Sequence, residues 1–141
     1  MKFLPFFLIG FAGLLAVNAM SDENKEMLKS FAEDCKKTEN ASDADVELMA
    51  NEQFPDSKEG KCLIACMQEQ FGVTKDGVYQ TENVKALIEM GVGEDEAKKS
   101  QAGPMAEACA NQDDPDRCEK GLKISKCLAE EGKNRKMDKK D

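Results

Sequence analysis

The sequence predicts an all-α protein of about six helices, tied together by disulfide bonds and exported from the cell. Three observations support this. Apolar residues recur with the i, i+3/i+4 spacing of a helix face, and few stretches alternate in the manner of a strand. The chain of 141 residues contains six cysteines, an even number in a short protein. Its first nineteen residues have the composition of a secretion signal.

The leader, residues 1–19, decides how the cysteines are interpreted. Lys2 supplies a positive charge, residues 3–17 are apolar and uncharged, and Val17-Asn18-Ala19 places small residues where signal peptidase cleaves. The apolar run is too short and wrongly flanked to span a membrane. We therefore expect cleavage before Met20 and a secreted, extracellular protein whose cysteines form disulfides.

Four helices are predicted in the first two thirds of the chain. Ser21, Ser42 and Thr81 are expected N-caps, because their hydroxyl oxygens can accept hydrogen bonds from the free N–H groups of the first turn. The third helix is expected from about Ser57 to Phe71. The predicted inward faces carry Met27, Leu28, Phe31 and Cys35 in the first helix, Val46, Met49 and Ala50 in the second, Cys62, Leu63, Cys66, Met67 and Phe71 in the third, and Val84, Leu87 and Ile88 in the fourth.

Glycine and proline mark where these helices end and where two more begin. Glycines at positions 72, 91 and 132 are expected to end the third, fourth and sixth helices. Asp76-Gly77 predicts a turn. A fifth helix opens at Glu94-Asp95-Glu96, but Pro104 lies inside it and predicts a kink or break. The sixth is predicted from Pro115 to about Glu131, with Asp114 as its N-cap.

The charge of the chain argues against two classes of partner. Without Lys2, 19 basic and 28 acidic residues remain, a net charge of −9. Nucleic acid and anionic membranes would repel such a surface, so we predict neither nucleic-acid binding nor membrane insertion. Residues 133–141 carry five basic and two acidic side chains and predict a charged, solvated tail. The folded domain is then residues 20–132.

Helix geometry restricts how the cysteines can pair. Cys62 and Cys66 are four residues apart, so they lie on one face of a helix and suit two separate partners. Cys118 and Cys127 are nine apart, about half a turn out of phase, and point to opposite sides. Excluding these two pairs leaves ten of the fifteen pairings of six cysteines open.

The cysteine order resembles that of a known family. In this all-helical exported chain the pattern is Cys35-x26-Cys62-x3-Cys66-x42-Cys109-x8-Cys118-x8-Cys127. It resembles the insect odorant-binding proteins of the pheromone- and general-odorant-binding type, over essentially the whole mature chain. The resemblance implies the pairs Cys35–Cys66, Cys62–Cys118 and Cys109–Cys127. It also implies six helices around one internal apolar cavity that carries small hydrophobic molecules such as odorants or pheromones.

Twelve apolar residues on the predicted inner faces are the candidate pocket. Methionine is well represented among them, and its flexible side chain adapts to varied ligands. The same stripes are also what an ordinary helical core would show. The predicted pocket residues are Met27, Phe31, Met49, Phe54, Met67, Phe71, Val84, Leu87, Ile88, Met105, Leu122 and Leu128.

Catalytic and metal-binding patterns are weak. The chain contains no histidine, the commonest general base and metal ligand, and cysteines held in disulfides offer no thiolate. The acidic run at residues 113–116 lacks the spacing and the glycine of an EF-hand loop. We therefore predict no enzyme activity, no cofactor and no metal. Asn40-Ala41-Ser42 is a glycosylation sequon, although Ser42 is equally explained as an N-cap.

Three functions compete. The first is a secreted carrier of small hydrophobic molecules. The second is a secreted signalling or interaction protein on the same scaffold, which an exposed apolar patch would favour; a membrane receptor and a homodimer are left open as partners. The third, a small hydrolase, would need a cleft with a perturbed carboxylate. Because no histidine is present and the tail carries five cations, we predict no insertion of the tail into the pocket. Ligand affinity should then change little between pH 7.5 and about 5.5.

Overall fold

The structure is a computed structural model, and it describes residues 22–137, with the side chains of residues 22–25 left aside. The leader, the Ser21 cap and the last four residues of the tail lie outside this range. The described chain is helical apart from one small hairpin. Its elements are α1 Asp22–Glu39, α2 Asp43–Ala50, α3 Lys58–Phe71, β1 Thr74–Lys75, β2 Val78–Tyr79, α4 Thr81–Val92, α5 Glu96–Lys99, α6 Ala102–Ala108 and α7 Arg117–Asn134.

Side-chain caps begin several of these helices, as predicted for Ser42. Ser42 and Asp45 form a capping box at the start of α2, each accepting a hydrogen bond from the other's backbone N–H. The Ser57 hydroxyl oxygen accepts from the N–H of Gly60 at the start of α3. Its own hydroxyl donates to Asp45 at 2.9 Å, so the two caps are joined. Gly72, left-handed at φ 83°, ends α3 as predicted.

Two predicted caps are displaced by one or two residues. Thr81 is the first residue of α4, and Gln80 occupies the N-cap position without a side-chain hydrogen bond. At α7 the cap is Asp116, whose carboxylate accepts from the N–H groups of Cys118 and Glu119. Asp114 instead accepts from the N–H of Asp116 and forms the turn that precedes the helix. In both places the competing polar residue lies within two positions of the predicted one, so the sequence could not separate them.

The predicted fifth helix is divided into α5 and α6. The chain turns at Ser100 and Gln101, which places Pro104 third in α6. A proline in the first turn of a helix sacrifices no internal hydrogen bond, because the N–H groups there have no partner within the helix. The break predicted from Pro104 is therefore confirmed, and it falls three residues before the proline.

A two-residue turn closes the hairpin. Asp76 and Gly77 have φ values of 53° and 81°, the left-handed backbone that joins two antiparallel strands with their natural twist. The turn predicted at Asp76-Gly77 is confirmed, whereas its flanking strands of two residues each were too short to show an alternating pattern.

α7 continues through Gly132 and ends at Asn134, which corrects the predicted end of that helix. Lys136 adopts φ 58° and its N–H bonds the carbonyl of Lys133, while the N–H of Met137 returns to the carbonyl of Gly132. This is a Schellman motif with lysine in the left-handed position that glycine usually takes. The motif turns Met137 back onto the body of the protein.

Three disulfides tie the helices in the order that the resemblance implies. Cys35–Cys66 joins α1 to α3, Cys62–Cys118 joins α3 to α7, and Cys109–Cys127 joins the end of α6 to α7. No cysteine is free. α3 packs chiefly on α7 and α1, and α4 packs on α6. The prediction of an all-helical fold held by three interlocked disulfides is confirmed.

Candidate functional site

Apolar side chains form two clusters, and α7 contributes buried residues to both. The first cluster lies among α1, α2 and α3; the second lies among α4, α6 and α7. The buried members of the first are Leu28, Ala32, Cys35, Val46, Met49, Ala50, Leu63, Ile64, Cys66, Met67 and Leu122. Those of the second are Val73, Val84, Ile88, Ala102, Met105, Ala106, Cys109, Ile124, Leu128 and Met137.

Eleven of the twelve predicted pocket residues belong to these clusters. Six lie in or against the first and five in or against the second, so no single group contains them all. Those of the first cluster are Met27, Met49, Phe54, Met67, Phe71 and Leu122. Those of the second are Val84, Leu87, Ile88, Met105 and Leu128.

Phe31 differs from the other eleven. Its side chain is 44% exposed, and its ring meets that of Phe71 at 5.6 Å between centroids and a tilt of 60°. The buried positions of α1 are Leu28, Ala32 and Cys35, spaced four and three residues apart. Phe31 stands one residue off this stripe, which explains why it lies at the edge of the first cluster instead of inside it.

α3 and α7 approach closely where Gly121 faces Ala65. A Cβ atom added at Gly121 would lie 3.0 Å from both the Cα and the Cβ of Ala65. The Cys62–Cys118 bond crosses the same junction, with its Cα atoms 4.4 Å apart. Small residues thus permit the contact and a covalent bond maintains it, so this pair of helices forms the rigid frame of the interior.

Gln68 is a polar residue that lies inside this frame. Its side chain is fully buried, and its amide nitrogen donates to the carbonyl of Gly121 at 2.9 Å and to the Ser125 hydroxyl at 2.8 Å. Its amide oxygen is buried and has no hydrogen-bond partner among the described residues. An unpaired buried acceptor costs about 1–3 kcal/mol. Sequence reasoning missed Gln68, although Gly121 and Ser125, four apart on α7, mark a small and polar strip opposite it.

Tyr79 closes one side of the second cluster. Its hydroxyl donates to the carbonyl of Ala106 at 2.7 Å and joins the hairpin to α6. Burial raises the pKa of Tyr79 well above its ordinary value, so the phenol stays neutral and keeps its donor at physiological pH. This residue positions apolar neighbours instead of performing acid–base chemistry.

Met137 covers another side of the same cluster. Its side chain is 8% exposed and belongs to the second cluster. The expectation of a solvated tail is thus wrong for Met137, and Lys133 and Asn134 still belong to α7. The cations of this segment remain outside, because the Schellman turn buries Met137 while Lys133 and Lys136 stay exposed.

Ion pairs lie around the frame and not inside it. Arg117 donates hydrogen bonds to Glu69 and Glu39, each at 2.9 Å, and these bonds, chiefly the one to Glu69, raise the pKa of the guanidinium. Lys61 binds Glu119 at 2.9 Å. Exposed pairs of this kind stabilise a fold only slightly, so they orient the ends of α1, α3 and α7 more than they hold them.

A cleft of about 500 Å³ lies on the surface where α5 and Gln101 meet the end of α7. Asp95, Lys98, Gln101 and Arg135 are among its lining residues, and none of the twelve predicted pocket residues lines it. Arg135 donates to Gln101 at 2.7 Å and to Glu131 at 2.9 Å. The side chains that line this cleft are mostly charged or polar, unlike those of the two apolar clusters.

The described residues also bear on metal binding, membrane spanning and glycosylation. Within residues 22–137 no group of three or more His, Cys, Asp or Glu side chains is placed to hold a metal ion. No helix in the same range is long and apolar enough to cross a bilayer. Asn40 is exposed at φ 61°, while Ser42 of the same sequon is engaged in the capping box. Glycosylation of Asn40 remains a prediction.

Comparison with known proteins places this architecture in a family. The model of the PBP/GOBP family matches residues 17–131. General odorant-binding protein 28a of Drosophila melanogaster is 30% identical over 138 residues, which cover 94% of this chain and 96% of that protein.

Solved structures agree with this placement. The odorant-binding protein dmelOBP28a from Drosophila melanogaster superposes with a TM-score of 0.68 at 31% identity, covering 79% of this chain and 94% of the other. The fatty acid binding protein OBP56a from the oral disk of the blowfly Phormia regina gives a TM-score of 0.61 at 25% identity, covering 82% and 96%. Since the family model covers most of its length and its fold and disulfides agree with the match, the chain belongs to the PBP/GOBP family of insect odorant-binding proteins.

Proposed function

We propose that this protein is a secreted carrier that holds a small hydrophobic molecule, such as an odorant or a pheromone, among its apolar helices. The observation that supports this most is the position of the predicted residues. Eleven of the twelve lie in or against two apolar clusters, and α7 contributes buried residues to both. Family membership supplies the carrier role, and the leader together with six paired cysteines supports secretion.

The clusters suit a ligand that must be accommodated by side-chain movement. Met49, Met67, Met105 and Met137 are all buried, and methionine has three rotatable bonds and a polarisable sulfur. Rearranging such side chains costs less than moving a helix that two disulfides fix. We propose that the ligand lies against α7, which contributes Leu122 to the first cluster and Leu128 to the second.

The ligand class is an apolar chain or ring of modest size with few polar atoms. Burying one large apolar group is worth about 1.5–3 kcal/mol, so contact with several of these side chains suffices for micromolar affinity. The blowfly relative is named for binding fatty acid, which supports a long aliphatic ligand here. We propose no catalytic step, because the chain has no histidine and all its cysteines are bonded.

The interaction-protein alternative receives less support. Phe31, Val78 and Met90 are the exposed large apolar side chains of the described residues, and they lie on three different elements. Apolar residues that are exposed singly are ordinary on soluble proteins and do not require a partner. A membrane receptor or a homodimer therefore remains a proposal without a specific surface.

Displacement of a fluorescent naphthalene probe from the refolded mature chain tests the carrier proposal. Apolar aliphatic compounds should displace the probe, the tightest of them with micromolar constants. Leu87→Asp and Phe71→Asp should weaken binding at least tenfold, because each places a charge against a cluster. Met90→Asp is the matched control: the residue is on the same helix as Leu87 but 46% exposed, and affinity should not change.

Two results would contradict the proposal. One is a folded protein from which no apolar compound displaces the probe. The other is unchanged affinity in both Leu87→Asp and Phe71→Asp while circular dichroism shows the native helix content. Affinity measured from pH 7.5 to 5.5 should be constant, since no histidine titrates in that interval.

A further inference from the structure

Gln68 presents a buried acceptor that the protein itself does not satisfy. The carbonyl of Gly121 can only accept a hydrogen bond, so the amide nitrogen of Gln68 must face it. The same nitrogen uses its second hydrogen on the Ser125 hydroxyl. These two bonds fix the orientation of the amide, and an exchange of nitrogen and oxygen would place two acceptors together. The oxygen of Gln68 is therefore left without a donor among the described residues.

The surroundings explain why no donor reaches this oxygen. Gln68 follows Met67 of the first cluster along α3 and faces α7 at Gly121 and Ser125. The remaining buried residues of this stretch of α7 include Leu122, Ile124 and Leu128, which have no polar side-chain atom. The great majority of buried polar groups in proteins have a hydrogen-bond partner, so an unpaired one needs an explanation.

We propose that the amide oxygen of Gln68 accepts a hydrogen bond from the hydroxyl of the bound ligand. The protein would then select apolar alcohols over molecules of equal size that carry no donor. This inference rests on the proposed carrier function and adds the chemical class of its ligand. A site built to bond a hydroxyl rejects the analogue without it, because its own polar group stays unpaired.

An amide oxygen can only accept a hydrogen bond, so Gln68 does not favour ligands that carry acceptors alone. Aldehydes, esters and ethers offer only acceptors, so they leave Gln68 unsatisfied. An ionised carboxylate brings further acceptors and a charge that is costly to bury next to the apolar clusters. The preferred ligand is therefore neutral, with one donor near an aliphatic chain or ring.

A matched ligand pair tests the inference on the refolded mature chain. 1-Dodecanol and its methyl ether differ in that the ether replaces the O–H by O–CH₃ and loses the donor. The wild-type protein should bind the alcohol at least tenfold more tightly. Gln68→Met keeps the length of the side chain and removes the amide, so this variant should bind both compounds equally. Gln70→Met makes the same substitution at an exposed glutamine of α3 and should keep the preference for the alcohol.

A spectroscopic measurement separates a ligand bond from a structural role. The carbon-13 shift of the Gln68 side-chain carbonyl should move downfield when dodecanol binds and should stay near its ligand-free value with the ether. This measurement uses the wild-type protein, so the inference stays testable even where Gln68→Met fails to fold.

Each remaining outcome contradicts the inference in a distinct way. Equal binding of alcohol and ether by the wild type would overturn the role of Gln68 and leave the carrier function standing. A carbonyl shift that already indicates a hydrogen bond before ligand is added, and that dodecanol does not move, would assign the missing donor to an ordered water. Failure of both compounds, and of every other apolar compound, to bind would remove the carrier function and this inference with it.

Discussion

The contact between α3 and α7 can be tested by adding a single methyl group. Gly121→Ala would place a Cβ atom 3.0 Å from the Cα and Cβ of Ala65 and 3.2 Å from its backbone nitrogen. These atoms belong to a helix that is tied to α7 through Cys62–Cys118, so neither side can withdraw easily. Gly103→Ala is the matched control, since its new Cβ would be 3.8 Å from the flexible end of Lys85.

Two opposing effects set the expected magnitude. Replacing glycine by alanine inside a helix gains up to about 1 kcal/mol from backbone entropy. Overpacking a tight contact costs about 1–3 kcal/mol. With the full gain subtracted, the net loss for Gly121→Ala is up to about 2 kcal/mol, and each kcal/mol lowers the melting temperature of a domain of this size by about 4 °C. Gly103→Ala keeps only the favourable effect, so its melting temperature should equal or exceed that of the wild type.

Thermal and urea unfolding, followed by circular dichroism with the disulfides intact, measure both variants. Opposite signs for Gly121→Ala and Gly103→Ala would support the close packing of α3 on α7. A Gly121→Ala variant as stable as Gly103→Ala would refute it, because the helices would then have to lie far enough apart to accept a methyl group.

Three further predictions concern stability. Replacing both cysteines of Cys62–Cys118, which are 56 residues apart, by alanine should lower the free energy of unfolding by about 4 kcal/mol. The same change at Cys109–Cys127, which are 18 residues apart, should lower it by about 3 kcal/mol, and denaturant unfolding should give that order. Lys136→Gly should raise the stability by up to about 1 kcal/mol, because glycine adopts φ 58° without strain, and a lower melting temperature would contradict the Schellman assignment. The pKa of Asp116 is held below its ordinary value because two N–H groups of the helix it caps donate to its carboxylate. Its contribution is therefore present above about pH 4 and lost as the pH falls through the lowered pKa, so Asp116→Asn should show a shallower acid-side decrease in melting temperature.

Local signals in the sequence were sufficient for most of the helical framework. The capping box at Ser42, the glycine that ends α3 and the turn at Asp76-Gly77 each depend on residues within four positions of one another. Such short-range patterns are visible without knowledge of the tertiary structure. The helix boundaries near Thr81 and Asp114 were less accurate, because neighbouring polar residues compete for the same cap.

The interior was predictable as a set of apolar residues but not in its arrangement. Periodicity identified many of the buried side chains, yet it could not show that they would form two clusters; Ile64 and Ile124, for example, were not among the predicted residues. Phe31 is exposed because it lies one residue before Ala32, which takes the buried position on that face of α1. Met137 was missed because its burial requires a lysine, Lys136, to adopt a left-handed backbone, which residue preference argues against.

Gln68 was missed for a different reason, and that reason connects stability with function. A buried glutamine in a helix looks like a surface residue in the sequence, since its environment depends on contacts with Gly121 and Ser125 more than fifty residues away. An unpaired acceptor lowers the stability of the empty protein, but each disulfide across the interior contributes about 3–4 kcal/mol. The covalent frame can therefore retain a polar group that favours a ligand over the empty state. On this proposal, the unpaired acceptor selects hydroxyl-bearing ligands, and the disulfides offset its cost in the empty protein.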